Sequence, residues 1–278
     1  MEYILLILKG MIIGVANIIP GVSGGTLMIT LGIYEEVIKT ISHFFKNWKK
    51  NLKFIIPLGI GMILSILLLS KLISLCLDKY PFPTTLFFIG LIIGGIPLLW
   101  NRSKAAKGNW SNWLVFGITF AIVLTFAFLK SGNNVISFEN MNLLNYVTLF
   151  VIGMISAATM VIPGISGSFV LMLLGFYEPI VKTIKDLTNF SLLTHNLLIL
   201  IPFGLGIIVG IILVAKLIEY LLNRYPIKTY YGVLGFVIAS LVAIIKPIIG
   251  INVGVIEIII SIILIIAGSI IAYKLGDK

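Results

Sequence analysis

PGVSGGTLMITLGIYEE, running from Pro20 to Glu36, returns as PGISGSFVLMLLGFYEP from Pro163 to Pro179. The two prolines stand 143 residues apart in a chain of 278. The likeness continues on both sides. Gly10-Met11-Ile12 matches Gly153-Met154-Ile155, and Lys39-Thr40-Ile41 matches Lys182-Thr183-Ile184. Further on, Pro57, Gly59 and Gly61 match Pro202, Gly204 and Gly206, and Lys71 matches Lys216. Tyr80-Pro81 matches Tyr225-Pro226, and Gly90 matches Gly235. The offset is 143 residues through Lys39 and 145 from Pro57 onward, so the second copy has gained two residues in its first loop; such sustained self-similarity means one structural unit used twice. We place the first unit at residues 1–140 and the second at 141–278, within one membrane domain.

The medium is set by composition. Apolar residues make up 59% of the chain and charged residues 11%, against about 25% charged in a soluble domain. The expectation is an all-α integral membrane protein. Residues 1–8 carry no basic start and no small-residue cleavage site, so a cleavable signal peptide is not expected. The net charge of +10 sits in short loops between apolar runs. That is a topology signal rather than a nucleic-acid surface. The single cysteine, Cys76, excludes an intramolecular disulfide and a Cys-based metal site. No metal or cofactor is expected.

The apolar runs of the first half are 3–19, 26–34, 54–77, 84–100 and 113–129. Those of the second are 143–162, 169–177, 197–222, 230–245 and 255–273. Each half therefore holds a short pair broken at Pro-Gly, then three long transmembrane helices. As continuous helix, Ser23 to Glu35 spans roughly 18 Å, about half of a hydrocarbon core roughly 30 Å thick. The short pair reads as a re-entrant hairpin; two thin full crossings are the alternative. Lys39, Lys46, Lys49, Lys50 and Lys53 crowd the first long loop, and Arg102, Lys104 and Lys107 the third. Both loops are expected on the cytoplasmic side, while residues 130–142 are nearly neutral and expected outside. Either hairpin reading gives an odd number of crossings per half. The repeats are then inverted, and both termini are cytoplasmic.

A broken helix at membrane depth leaves backbone amides unpaired, each costing several kcal/mol in lipid. Something must satisfy them. The break is followed by Ser23-Gly24-Gly25-Thr26 in one copy and Ser166-Gly167-Ser168 in the other. These residues open a helix, so their N–H groups are its free first-turn donors. Small side chains admit a ligand to the backbone, and the hydroxyls add donors. Two such ends facing each other near the midplane make an anion site, with phosphate a natural occupant. The plainer alternative is a Pro-Gly kink with Ser and Gly serving close packing.

The paired PGVSGG and PGISGS motifs, each followed by Leu-Gly-x-Tyr-Glu, resemble the bacterial and archaeal polyprenyl-phosphate transporter family over essentially the whole chain. The resemblance implies a plasma-membrane translocase (a flippase) that returns undecaprenyl phosphate, or a similar carrier, from the outer to the inner leaflet. That recycling serves envelope glycan synthesis. By motif, the head-group site falls on Pro20, Gly21, Ser23, Gly24, Gly25 and Thr26, with Pro163, Gly164, Ser166, Gly167 and Ser168. The second copy departs at Ser168 and Phe169, where the first has Gly25 and Thr26. The two half-sites are not equivalent, and Phe169 is a candidate to face lipid or the prenyl tail.

Other polar residues have weaker signals. Asn17 precedes the first break and is a candidate to line the site; its counterpart is Met160. Glu35 and Glu178 are read as ending the half-helices, where ion coupling or gating competes with a plain interfacial role. Lys71 and Lys216 reach toward the head group or snorkel to the interface. Glu257 lies in the last apolar run, a functional candidate by default, or a residue facing water near its helix start. His43 and His195 are read as solvated loop residues. Moving a phosphate inward against an inside-negative potential costs roughly 2.3 kcal/mol per charge per 100 mV. Net uptake therefore needs a lipid gradient or a coupling cation, H⁺ or Na⁺. Glu35, Glu178 and Glu257 are the candidate proton carriers.

Enzymes fit poorly. Gly21-Val22-Ser23-Gly24 matches the GxSG of rhomboid proteases, but neither histidine lies in an apolar run to serve as base. The same residues fit GxSxG without a strand–turn–helix context. A transporter or channel for a small anion, chloride or phosphate, is the alternative the site allows. The substrate partners are then the lipid or the free anion, not nucleic acid.

Overall fold

The computed structural model describes residues 2–18, 22–103, 109–129, 138, 141–164, 166–188 and 192–276. In the first half these form α1 (Glu2–Ile18), α2 (Gly24–Thr30), α3 (Tyr34–Ser42), α4 (Trp48–Lys79), α5 (Pro81–Ser103) and α6 (Trp110–Phe128). The second half repeats the series: α7 (Leu143–Val161), α8 (Gly167–Leu173), α9 (Tyr177–Lys185), α10 (Leu193–Arg224), α11 (Pro226–Ile245) and α12 (Val255–Gly276). Among the described residues, seven helices are long and apolar enough to cross a membrane: α4 to α7 and α10 to α12. The protein is an all-helical, multi-pass membrane protein. Isoleucines and leucines of α4, α10 and α12 are exposed in rows, as Leu67, Leu68, Ile208, Ile259 and Ile263 show. Lipid makes that exposure inexpensive.

The short pairs differ from the continuous half-helix read from the sequence. α2 and α8 have only seven residues each, about 10 Å of rise. Each stops at the Leu-Gly of the repeated motif. Gly32 (φ +72°) and Gly175 (φ +76°) take the left-handed conformation. Ile33 N–H donates to Met28 O and Gly32 N–H to Ile29 O; Phe176 N–H donates to Leu171 O and Gly175 N–H to Met172 O. Both are Schellman caps, for which glycine carries no Cβ penalty. Glu35 and Glu178 therefore do not end the half-helices. They lie in the first turns of separate helices, α3 and α9, where a carboxylate complements the helix dipole. The arms of each pair are unequal as well: α1 has 17 residues and α7 has 19, close to a full crossing. His195 is not in a loop but in the first turn of α10, exposed.

The same packing is built twice. α1 lies along α4 as α7 lies along α10; α5 lies along α12 as α11 lies along α6. Each half thus lends its last helix to the other, and α5 meets α11 between them. The crossings are closed by matched glycines. A Cβ at Gly10 would overlap Leu58 O, and one at Gly153 would overlap Phe203 O. Likewise Gly61 abuts Ile7 O, and Gly206 abuts Phe150 O. Small residues let backbones approach this closely. Gly10→Val and Gly153→Val should each destabilise by about 1–3 kcal/mol, the usual range for overpacking. Thermal unfolding of the detergent-solubilised variants checks this. Val at Gly59 or Gly204, where an added Cβ would meet none of the described residues within 4 Å, should show no overpacking loss.

Candidate functional site

The two repeated breaks meet inside the protein. Gly164 N–H donates to Thr26 Oγ1 at 2.8 Å, and Tyr34 OH donates to Val161 O at 3.1 Å. A Cβ at Gly25 would stand 3.2 Å from Val161 O and 3.4 Å from Pro163 Cα. The start of α2 therefore rests directly on the bend that follows α7. Thr26, Gly25, Pro163 and Gly164 are all buried. Gly164 itself has φ +84°, so glycine is the residue that takes this bend without strain.

Each short helix opens on a serine that does not cap it. Ser23 (φ −93°, ψ 127°) and Ser166 (φ −93°, ψ 128°) hold nearly identical N-cap backbones, and neither side chain accepts a first-turn amide. An N-cap serine ordinarily makes that bond. Ser166 Oγ instead pairs with Ser168 Oγ at 2.8 Å. Ser23 Oγ is buried and has no hydrogen-bond partner among the described residues, with the residue only 2% exposed. An unsatisfied buried hydroxyl costs about 1–3 kcal/mol, so it is a conspicuous group to retain at this place. Asn17 lies beside it: its Oδ1 is 2.7 Å from where a Cβ on Gly24 would stand. Met160 holds the equivalent position over Gly167. Ser156, also buried, reaches Gly167 O at 3.5 Å.

Of the residues expected from sequence, the structure brings Asn17, Ser23, Gly24, Gly25 and Thr26 to one break and Gly164, Ser166, Gly167 and Ser168 to the other, with Pro163 between. Pro20 and Gly21 lie outside the described residues, as do the Phe169 side chain and Lys104 and Lys107. Lys71 and Lys216 are exposed among exposed leucines such as Leu72 and Leu217. Glu178 is exposed on α9. Glu257 is the third residue of α12 and accepts Gly254 N–H at 3.2 Å, as a residue serving its own helix start would.

Glu35 is different. Its carboxylate accepts from Arg102 of α5 and from the hydroxyl of Tyr230 of α11. Arg102 also donates to Tyr230 OH at 3.1 Å, and Lys39 Nζ stands 4.0 Å from the carboxylate. Four side chains from three helices and both halves thus converge. At the same end, His43 is not merely solvated: its Nδ1 lies 3.3 Å from Glu219 of α10. A second residue escaped the sequence reading. Lys9 of α1 is 4% exposed, and its Nζ donates to Leu31 O at 2.8 Å. It ties the C-terminal end of α2 to α1. A lone lysine within the run 3–19 was the available signal.

Comparison with known proteins follows the same line. Residues 13–255 match the family described as undecaprenyl phosphate translocase-like. The polyprenyl-phosphate transporter of Staphylococcus aureus is 33% identical over 276 residues, covering 97% of this chain and 95% of the relative. The polyprenyl-phosphate transporter of Vibrio cholerae is 32% identical over 255 residues, covering 87% and 77%. Both relatives are named as transporters, not enzymes. No solved structure matches the chain. With most of its length covered by that family and by these relatives, the chain belongs to the undecaprenyl phosphate translocase-like family.

Proposed function

We propose that this protein carries polyprenyl phosphate across the plasma membrane, from outer to inner leaflet, and that the phosphate is held where the two breaks meet. The observation that carries this reading is the buried hydroxyl of Ser23, without a hydrogen-bond partner among the described residues, at the uncapped start of α2. The substrate class is supported by the relatives' names. Hydroxyl and first-turn amides together form a donor cluster suited to an oxyanion. In the described conformation Gly164 N–H is taken by Thr26. Admitting a head group requires these tips to part, and parting frees Gly164 N–H as a further donor.

Where the prenyl chain goes is suggested by an apolar groove of about 590 Å³ between α1, α4, α5 and α12. Its wall includes Met11, Val15, Phe87 and Leu91. Val15 is two residues from Asn17, so the groove begins beside the first break. A chain in this groove, with its phosphate at the breaks, spares the protein from moving the tail through water. The repeated packing supports two inverted units, 1–140 and 141–278, rocking between states open to either leaflet. In this reading the short pairs are re-entrant and both termini are cytoplasmic, by the lysine and arginine bias. The charge cost of inward movement is met by the lipid gradient or by H⁺ or Na⁺.

Proteoliposomes loaded with fluorescent polyprenyl phosphate test this. Protein-dependent exchange between leaflets, absent for the matching polyprenol, is expected. Exchange that does not rise above protein-free vesicles would remove the reading. Transport of chloride or inorganic phosphate in its place would support a small-anion carrier instead.

A further inference from the structure

A polar basin of about 610 Å³ opens at the Glu35 end, lined by Lys39, His43, Lys46, Lys50, Arg102 and Glu219 among others. Beneath it lies a second cavity of about 20 Å³, walled by Ile29, Leu99, Tyr230 and Val233, room for about one water. Gly32, Glu35 and Arg102 line both. The Glu35–Arg102 contact is thus the partition between them. Ile29 belongs to the last turn of α2, so the partition and the Ser23 break sit at opposite ends of one seven-residue helix.

We infer that this basin is a second site for a phosphate monoester, with Arg102 its principal ligand and Glu35 the internal anion that holds the place when the site is empty. The inference rests on the transport reading above and deepens it. Guanidinium matches a carboxylate and a phosphate with the same planar fork of donors, so one can replace the other on Arg102. Glu35 neutralises two cations at once, Arg102 and Lys39. Displacing it releases both toward the incoming anion, with Lys46 and Lys50 already on the wall. His43 Nδ1 stands 3.3 Å from Glu219 on the same wall. Tyr230 tracks the exchange, since its hydroxyl touches both Glu35 and Arg102.

The arrangement is one-sided. In the repeat alignment Glu178 is the mate of Glu35, yet it is exposed, and no ion pair to it occurs among the described residues. Pro247 stands where the second half would carry its arginine. An evenly two-faced role would need both ends alike. One-sided placement fits a station on the path between the breaks and one aqueous phase.

The test measures binding of geranyl phosphate, geraniol and inorganic phosphate to the purified full chain. Use the Ser23→Ala/Ser166→Ala background, so that the breaks contribute little. Glu35→Gln should bind geranyl phosphate about tenfold more tightly, and Arg102→Gln about tenfold more weakly, with geraniol unchanged in both. A lesion that merely loosened the fold would not tighten binding. Competition by inorganic phosphate assigns the site to free phosphate as well; its failure assigns it to the lipid head group. Either supports the site. Equal affinity for geranyl phosphate in Glu35→Gln, Arg102→Gln and the parent overturns it. Failure of the transport reading is seen separately, as leaflet exchange by the unmodified protein that does not rise above protein-free vesicles.

Discussion

Replacing Ser23 and Ser166 together with alanine is expected to stop transport without weakening the fold. Ser23 Oγ is buried and makes no hydrogen bond among the described residues, so its removal relieves a desolvation cost of about 1–3 kcal/mol. Ser166 Oγ gives up one bond, to Ser168, with a net value of about 1 kcal/mol. The two changes roughly cancel, and the thermal midpoint should hold or rise. Transport should respond in the opposite direction. Hydrogen bonds to a charged ligand are worth about 1.5–3 kcal/mol each, so losing two lowers transport by about a hundredfold or more. Proteoliposome exchange read beside thermal unfolding checks both halves. Wild-type transport in the double variant would contradict the proposed role of the serines.

Thr26→Val is expected to do the reverse to stability. Thr26 is fully buried, and its Oγ1 is the acceptor for Gly164 N–H. Valine keeps the shape but strands that amide, at a cost of about 1–3 kcal/mol, more if the region is as dry as lipid. The thermal midpoint should fall for Thr26→Val and recover in Thr26→Ser, which keeps the hydroxyl. Adding polyprenyl phosphate should restore part of the loss in Thr26→Val, because the ligand supplies an acceptor to the stranded group. A Thr26→Val protein as stable as its parent would mean that this bond does not hold the tips together.

How much of this was visible in the chain depends on the range of the interaction. The doubled motif, the three long helices per half and the helix starts at Ser23 and Ser166 follow from local pattern, and the structure has them. The turns at Gly32 and Gly175 were also spelled out, as Leu-Gly in both copies. The run 26–34 carries no charge and its only polar side chains besides Tyr34 are Thr26 and Thr30, and periodicity does not show a cap inside such a run. A glycine closing each run is the better signal, since glycine is the usual helix C′ residue. The partners of Glu35 lay beyond reach. Arg102 and Tyr230 are 67 and 195 residues away in sequence, and only the swapped packing of the final helices brings α5 and α11 together. The same holds for Thr26 and Gly164. Each half-site was legible alone, but the contact that closes one upon the other is a property of the assembled fold.

The central claim is that a phosphate sits between the two breaks. The most direct measurement is a cryo-electron microscopy structure of the protein with polyprenyl phosphate bound in nanodiscs. We expect phosphate density within hydrogen-bond distance of Ser23 Oγ and the first-turn amides of α2, with Gly164 N–H drawn off Thr26. Phosphate density found only elsewhere, with Thr26 and Gly164 still bonded and Ser23 still without a partner, would contradict it.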